Sequence, residues 1–178
     1  MNLLDVYKVS RKDYFEKLYL KSFPENERVD ISKLYDLDKK GLIDIIILTQ
    51  DTKYIGLAVI YLSENINLLS YFAIDPSLRS KGLGSKSLKI LKNTYKDLII
   101  EIESTDFKGA DDFALRNRRK AFYIRNGFKI IDQKVDYFGI EMELMATTKD
   151  AGIEAYFQTY ENIFDEKYIG ENIKMIKI

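Results

Sequence analysis

An apolar run at residues 66–74 gives the first indication of the fold. It reads INLLSYFAI and ends at Asp75 and Pro76, where the proline stops a strand from continuing. A run of this length with few polar residues is typical of a central strand that is covered on both faces. A loop with two glycines follows, and a helix is predicted at residues 82–95. The chain therefore combines a buried sheet with helices, which predicts an α/β fold.

Strand and helix patterns alternate along the first 146 residues. Ser10, with Asp13 three residues later, predicts the N-terminal cap of the first helix, and Gly41 closes the second. We predict strands at residues 3–9, 43–49, 54–62, 66–74, 98–103, 128–135 and 140–145, and helices at residues 10–22, 30–39 and 82–95 and before Asn126. The second and third strands form a hairpin, and the last two form an antiparallel pair. This order predicts a mixed sheet.

Residues 147–178 have a pattern of their own. Apolar residues keep helical spacing from Ile153 to Tyr168, and residues 172–178 alternate like a short strand. We therefore predict one domain at residues 1–146 and a helix–strand extension at residues 147–178. The extension either packs on the domain or forms a contact in a homodimer.

Composition excludes several kinds of chemistry. The chain has 178 residues, 28 of them basic and 28 acidic, and it contains neither histidine nor cysteine. Histidine bases, disulfides and cysteine nucleophiles or metal sites are therefore excluded. The balanced charge does not favour nucleic acid, and no apolar run is long enough to span a membrane. The first residues lack the order of a signal peptide, so we expect a cytoplasmic protein with no metal, nucleic acid or membrane partner.

The loop at residues 75–85 is suited to an anion. Glycine at positions 82 and 84 lets backbone N–H groups approach a ligand closely. The first turn of the following helix leaves about four amides unpaired, which suits a pyrophosphate. Three cations lie in or beside the loop: Arg79, Lys81 and Lys86. The plainer alternative is a strand-to-helix turn that uses glycine for tightness and cations for solubility.

Two nucleotide-binding motifs compete for this loop. The P-loop pattern Gly-x-x-x-x-Gly-Lys-Ser/Thr does not occur. Residues 82–87 match two of the three glycines of the dinucleotide fingerprint, and Glu101 and Glu103 lie near its expected acidic position. That fingerprint should follow the first strand of a βαβ unit, whereas several antiparallel-looking strands precede this loop.

Two motifs together carry a resemblance to a known family. The pattern Arg79-x-x-Gly82-x-Gly84 follows an apolar strand, and Phe122-Tyr123-x-x-x-Gly127-Phe128 follows at the expected distance. Both resemble the coenzyme A loop and the last-helix signature of the GNAT superfamily of acetyl-coenzyme A-dependent N-acyltransferases. The resemblance implies a mixed, mostly antiparallel central sheet flanked by helices. It also implies acetyl-coenzyme A as co-substrate, no metal, and a primary amine on a small molecule or protein as acceptor.

The resemblance also implies residue roles in binding the co-substrate. Backbone groups of Phe72, Ala73 and Ile74 would pair with the pantetheine arm, and Asn117 would touch the cofactor. The amides expected to hold the pyrophosphate are those of Arg79, Ser80, Lys81, Gly82, Leu83, Gly84 and Ser85.

Tyr123 is the candidate general acid. An N-acetyltransferase must deprotonate an amine with a pKa of about 10.4 and must protonate the departing thiolate. Asn126 and Gly127 predict a left-handed C-terminal cap, in which Phe128 packs on Tyr123 or its neighbour Phe122. Without cysteine there is no cysteine-bound acyl-enzyme, so we expect direct transfer in a ternary complex.

The sequence leaves three candidates for the general base. Glu103 lies on one strand face with Glu101, and Glu27 resembles an acid between the first two helices of related enzymes. Glu27 and Glu103 are equal candidates, and a water held by the backbone is the third. For Glu25 and Glu101 we favour a solvated carboxylate.

Two further alternatives concern function. The basic run Arg116, Arg118, Arg119 and Lys120 is interpreted as a solvated helix face that partly meets the 3′-phosphate, rather than as a nucleic-acid site. A non-catalytic acyl-coenzyme A-binding or regulatory module is the alternative to an enzyme. A dinucleotide-binding oxidoreductase is a more distant one.

Overall fold

The structure, a computed structural model, describes residues 1–149 and 151–176. Its strands are β1 (Asn2–Asp5), β2 (Ile43–Gln50), β3 (Lys53–Tyr61), β4 (Asn67–Ile74), β5 (Leu98–Glu103), β6 (Lys129–Tyr137), β7 (Ile140–Ala146) and β8 (Ile173–Ile176). Its helices are α1 (Val9–Ser22), α2 (Ile31–Lys39), α3 (Leu83–Tyr95), α4 (Phe113–Arg125), α5 (Ile153–Glu161) and α6 (Glu166–Asn172). The predicted α/β fold is confirmed.

The strands form a mixed sheet in the order β1-β2-β3-β4-β5-β7-β6-β8. The pairs β1–β2, β2–β3, β5–β7, β6–β7 and β6–β8 are antiparallel. The start of β4 pairs in parallel with the start of β5, through Asn67 with Leu98 and Leu68 with Ile99. The predicted mostly antiparallel sheet is therefore confirmed.

The chain divides into two compact units. The first comprises Met1–Leu62 and Leu69–Thr94, and the second comprises Ser63–Leu68 and the chain from Tyr95 onward. The first unit contains β1 to β3, most of β4 and the helices α1 to α3. The second contains β5 to β8 and α4 to α6.

The first unit has an aromatic core between its helices and β4. Phe15 and Tyr19 of α1 are fully buried, and the Tyr19 ring meets Tyr71 of β4 edge to face at 5.0 Å. The Tyr19 hydroxyl donates to the Val29 carbonyl oxygen at 2.9 Å. The Tyr71 hydroxyl likewise donates to the Glu27 carbonyl oxygen, so Tyr19 and Tyr71 contribute apolar area without leaving their hydroxyls unpaired.

The start of α1 differs from the prediction. The helix begins at Val9, with Lys8 as a cap that lacks a side-chain hydrogen bond, so Ser10 is not the N-cap. The Ser10 hydroxyl lies in the first turn and contacts the Tyr54 hydroxyl at 3.1 Å. The first strand also ends early, since Asp5 accepts a hydrogen bond from the Tyr7 amide at 2.9 Å and turns the chain.

The second unit packs the C-terminal helices on β5. The hydroxyls of Tyr156 and Tyr160 on α5 donate to the two carboxylate oxygens of Glu101 at 2.5 Å and 2.8 Å. Glu101, which we expected to be solvated, is instead held by two tyrosines. The single predicted tail helix is two helices, because Asp165 accepts a hydrogen bond from the Tyr168 amide and starts α6.

The predicted tail strand is present as β8, which pairs antiparallel with β6. Residues 177 and 178 of that prediction lie outside the described residues. The division into a domain and an extension at residue 147 stays a prediction.

Candidate active site

The turn after β4 is built from local hydrogen bonds. The Asp75 carboxylate accepts from the Ser77 hydroxyl at 2.7 Å and from the Ser77 amide at 2.9 Å. These bonds hold the pKa of Asp75 below its ordinary value and start a short 3-10 turn at Pro76–Leu78. The Arg79 Nε atom then donates to the Ile74 carbonyl oxygen at 3.1 Å, which fastens the turn to the end of β4.

The next residues turn the chain into α3. Ser80 and Gly82 both have left-handed backbone conformations, with φ values of 65° and 71°. Gly82 adopts this conformation without the strain that a side chain would add. Gly84 lies in the first turn of α3. What glycine offers a ligand at this position is therefore the absence of a side chain, and not a left-handed backbone.

The amides at the start of α3 are available to an anion. The first α-helical bond runs from the Lys86 amide to the Gly82 carbonyl oxygen at 3.2 Å. The helix therefore supplies no carbonyl partner for the amides of Leu83, Gly84 and Ser85. Arg79 and Lys81 beside them are exposed, so positive charge adds to the positive end of the helix dipole.

The end of β4 presents backbone groups to two edges. The Asp75 amide donates to the Ile55 carbonyl oxygen of β3 at 2.9 Å. Because backbone groups alternate along a strand, Ala73 also faces β3, whereas Phe72 and Ile74 face the opposite edge. The Ile74 carbonyl oxygen already accepts from Arg79. Of the three predicted pantetheine contacts, this geometry favours the backbone of Phe72.

Glu27 lies in a short 3-10 turn at Glu25–Glu27 between α1 and α2. The Tyr71 hydroxyl of β4 donates to the Glu27 carbonyl oxygen at 2.9 Å and accepts from the Val29 amide at 3.0 Å. Glu27 is half-buried, and this buried tyrosine therefore fixes its backbone. Its role as a base stays a prediction.

Tyr123 is fixed by the cap that ends α4. Gly127 has a φ of 87°, and its amide donates to the Ile124 carbonyl oxygen at 3.0 Å, while the Phe128 amide donates to Tyr123 at 3.1 Å. These are the two bonds of a Schellman motif. The Tyr123 ring meets Phe128 edge to face at 5.4 Å and is buried. The predicted cap and its aromatic contact are present.

Burial sets the acidity of this tyrosine. Desolvation raises the pKa of Tyr123 to about 12, and the positive charge of Arg119 acts in the opposite direction. Its hydroxyl is therefore protonated at neutral pH, as a proton donor must be. The role of general acid stays a prediction.

Glu103 and Asn117 have partners within the second unit. The Glu103 side chain at the end of β5 is 11% exposed and forms an ion pair with Arg119 of α4. The exposed Asn117 donates from its side-chain amide to the Phe113 carbonyl oxygen of its own helix at 2.8 Å. Binding of a cofactor by Asn117 stays a prediction.

The basic run on α4 forms more ion pairs than we expected. Arg116 pairs with Asp112 at 2.7 Å, Arg119 with Glu103, and Lys120 with Glu143 of β7 at 2.5 Å. Three of the four cations are therefore paired as well as partly exposed, while Arg118 is exposed.

Glu143 and Thr105 are residues that sequence reasoning missed. Glu143 is 3% exposed, and its Oε1 atom accepts from the Thr105 amide at 2.7 Å and the Thr105 hydroxyl at 2.6 Å. The signal was a carboxylate within the otherwise apolar Met142–Ala146 stretch of β7, because a buried charge needs a partner.

Sequence comparison gives a relative that matches part of the chain. No family model matches the chain. YjbC from Bacillus subtilis (strain 168), provisionally named an acetyltransferase, is 29% identical over 125 residues, which cover 61% of this chain. The chain spans only 62% of the length of that relative.

Solved structures agree over more of the chain. A GNAT-family protein from Bacteroides thetaiotaomicron, provisionally named an acetyltransferase, superposes with a TM-score of 0.76 over 94% of this chain and 98% of its own, at 22% identity. The chain has the GNAT fold. An aminoglycoside 6′-N-acetyltransferase complexed with coenzyme A superposes with a TM-score of 0.65 over 82% of this chain and 96% of its own, at 16% identity.

The GNAT fold excludes the dinucleotide-binding alternative. A dinucleotide fingerprint follows the first strand of a parallel βαβ unit, whereas this glycine loop follows the fourth strand of a mostly antiparallel sheet. The two matching glycines therefore do not form a dinucleotide fingerprint.

The described residues contain neither a metal-binding cluster nor a membrane-spanning helix. In residues 1–149 and 151–176, no group of three or more acidic, histidine or cysteine side chains is placed to hold a metal ion. Within the same residues, no helix has the length and apolar character needed to cross a membrane.

Proposed function

We propose that this chain is an N-acetyltransferase that moves the acetyl group of acetyl-coenzyme A to a primary amine by direct transfer in a ternary complex. The observation that carries the proposal is the turn at residues 79–85, which brings amides without helical partners to the start of α3. Such amides suit the pyrophosphate of coenzyme A. The GNAT-fold protein that was solved with coenzyme A supports this assignment.

Binding would use backbone more than side chains. The amides of Leu83, Gly84 and Ser85 would hold the pyrophosphate, with Arg79 and Lys81 adding positive charge. The outward-facing backbone of Phe72 would pair with the pantetheine arm, as an added strand does at a sheet edge.

The chemistry would then need one base and one acid. The neutral amine nitrogen attacks the thioester carbonyl carbon, a tetrahedral oxyanion forms, and the C–S bond breaks as the N–C bond is kept. Tyr123 would give its hydroxyl proton to the departing sulfur. With a pKa of about 12, this hydroxyl still carries its proton at neutral pH. Glu27 or a backbone-held water would take the proton of the amine. Glu103 is a poorer base, because protonation would leave the Arg119 guanidinium without its partner.

A thiol-release assay with acetyl-coenzyme A as donor tests the proposal. The acceptor panel should contain a polyamine, an aminoglycoside, free amino acids and a peptide with a free N-terminus, and mass spectrometry should identify the acetylated product. Release that depends on one amine class, with an equal amount of acetylated product, is the expected result. Binding of acetyl-coenzyme A without transfer to any amine would instead favour the non-catalytic module.

A further inference from the structure

Two adjacent cations of α4 meet carboxylates on neighbouring strands. Arg119 pairs with Glu103 of β5, and Lys120 pairs with Glu143 of β7. Both carboxylates are buried, with side chains 11% and 4% exposed, whereas the Arg119 side chain is 38% exposed. Because the Arg119 side chain is in contact with water, it would readily move into solvent if Glu103 did not hold it.

The two ion pairs have different surroundings. The Glu143 carboxylate also accepts two hydrogen bonds from Thr105, and Lys120 donates to the Thr105 hydroxyl at 2.9 Å. This pair therefore fastens the loop after β5 to α4 and β7. The cation of the other pair, Arg119, comes one position before Lys120 on α4, and its side chain lies on the same face as a different residue of the helix.

That residue is Tyr123. Positions i and i+4 of a helix lie on one face, so the Arg119 side chain and the Tyr123 ring share a face of α4. Arg119 is also the charged group whose field lowers the pKa of Tyr123 against the effect of burial. The ionised groups of these two pairs are Glu103 of β5, Arg119 and Lys120 of α4 itself, and Glu143 of β7. Asp106, in the loop after β5, and Lys134 of β6 form a further pair next to Ser104.

We propose that Glu103 is a positioning residue: its carboxylate holds the Arg119 guanidinium beside Tyr123, where the positive charge stabilises the phenolate that remains after proton transfer. The inference rests on the proposed function and assigns Glu103 a role other than general base. In the step concerned, the Tyr123 O–H bond breaks as an S–H bond forms on the coenzyme A thiolate. The phenolate then regains a proton from solvent, so the side chain returns to its starting state.

The first test measures the charge at position 123 without turnover. A difluorotyrosine at position 123 of the full chain has a lower phenol pKa than tyrosine, so it can be titrated at a pH at which the protein stays folded. Its 19F resonance reports on that site alone among the tyrosines. Arg119→Gln should raise this pKa by about one unit or more. Arg119→Lys should restore part of the difference, and Arg118→Gln, which removes an exposed charge from the same helix, should change it little.

Glu103→Gln gives the sharpest test, because the phenol pKa should change in opposite directions with Arg119 held in place and with Arg119 released. If the guanidinium stayed in place, removal of a nearby anion would lower the phenol pKa. If Glu103 holds the guanidinium, its loss releases Arg119 into water and the phenol pKa rises. A rise supports the proposal, and a fall or no change overturns it. Should Glu103→Gln not fold, an unchanged phenol pKa in Arg119→Gln overturns it equally.

The second test separates a positioning residue from a base. Glu103→Gln and Arg119→Gln should each lower kcat about ten-fold, and the double variant should be no worse than the poorer single one, since both remove one effect. Loss of the acidic limb of the kcat/KM profile in Glu103→Gln, but not in Arg119→Gln, would assign Glu103 as the base and refute the proposal. If the wild-type chain transfers no acetyl group, the proposed function fails, while the fluorine titration still decides whether Glu103 positions the charge.

Discussion

The Phe128 amide donates to the Tyr123 carbonyl oxygen at 3.1 Å, and the two rings meet edge to face with centroids 5.4 Å apart. One tight cap thus fixes both the backbone and the ring of the residue that we propose as the acid. The left-handed conformation of Gly127 makes this cap possible.

Gly127→Ala should therefore destabilise the fold. A residue with a Cβ atom is strained at a φ of 87°, and the expected loss in the free energy of unfolding is about 1–2 kcal/mol. Chemical denaturation monitored by circular dichroism measures it. Gly170→Ala is the matched control, because Gly170 lies in α6 with open space around it, so alanine should be neutral or stabilising there. Equal stability of Gly127→Ala and the wild type would contradict the role of the cap.

Tyr123→Phe should lower kcat while leaving the affinity for acetyl-coenzyme A nearly unchanged. The substitution keeps the buried ring and removes only the hydroxyl, and general-acid catalysis is typically worth about a hundred-fold. Because a thiolate is a tolerable leaving group, the loss is expected to lie between about ten-fold and a hundred-fold. Rates must be measured where chemistry limits turnover. A variant with at least half of the wild-type kcat would remove Tyr123 from the mechanism.

Glu143→Gln should destabilise the fold at neutral pH and much less in acid. Burial alone would raise the pKa of Glu143, but hydrogen bonds from Lys120 and Thr105 outweigh it and hold the pKa below its ordinary value. A carboxylate with a depressed pKa contributes stability above its unfolded pKa of 4.5, and that contribution is lost as the pH falls through the folded pKa.

Urea unfolding of wild type and variant at pH 7 and near pH 3 checks this expectation. The two free energies should differ by about 1–3 kcal/mol at pH 7 and should converge at the lower pH. Asp36→Asn is the control, because its pair with Lys39 is exposed on both sides and contributes little. A difference between wild type and Glu143→Gln that does not depend on pH would contradict the assignment.

Features set by neighbouring residues were predicted best from the sequence. The Schellman cap depends on Asn126, Gly127 and Phe128 in succession, and the turn into α3 depends on the glycine after Lys81. Both are present because local backbone geometry decides them. Ser10 was predicted as a cap for the same reason, but a serine can also lie in the first turn, and here its hydroxyl faces Tyr54.

Features set by packing could not be predicted from the sequence. Glu103, Arg119 and Glu143 carry ordinary charges in the sequence, and their pairing depends on which face of α4 meets β5 and β7. Glu101 looked like a solvated carboxylate because its partners, Tyr156 and Tyr160, lie more than fifty positions later in the chain. Contacts across such distances follow from the fold and have no local pattern.

Calorimetric titration with acetyl-coenzyme A tests the central claim, that the turn before α3 binds the co-substrate. Wild type should bind acetyl-coenzyme A and not NADH. Gly84→Trp, which places a bulky side chain among the first amides of α3, should weaken binding at least about ten-fold, since those amides supply the anion site. Lys86→Ala should weaken it less, because only an exposed charge is removed. Equal affinity of wild type and folded Gly84→Trp for acetyl-coenzyme A would contradict the account.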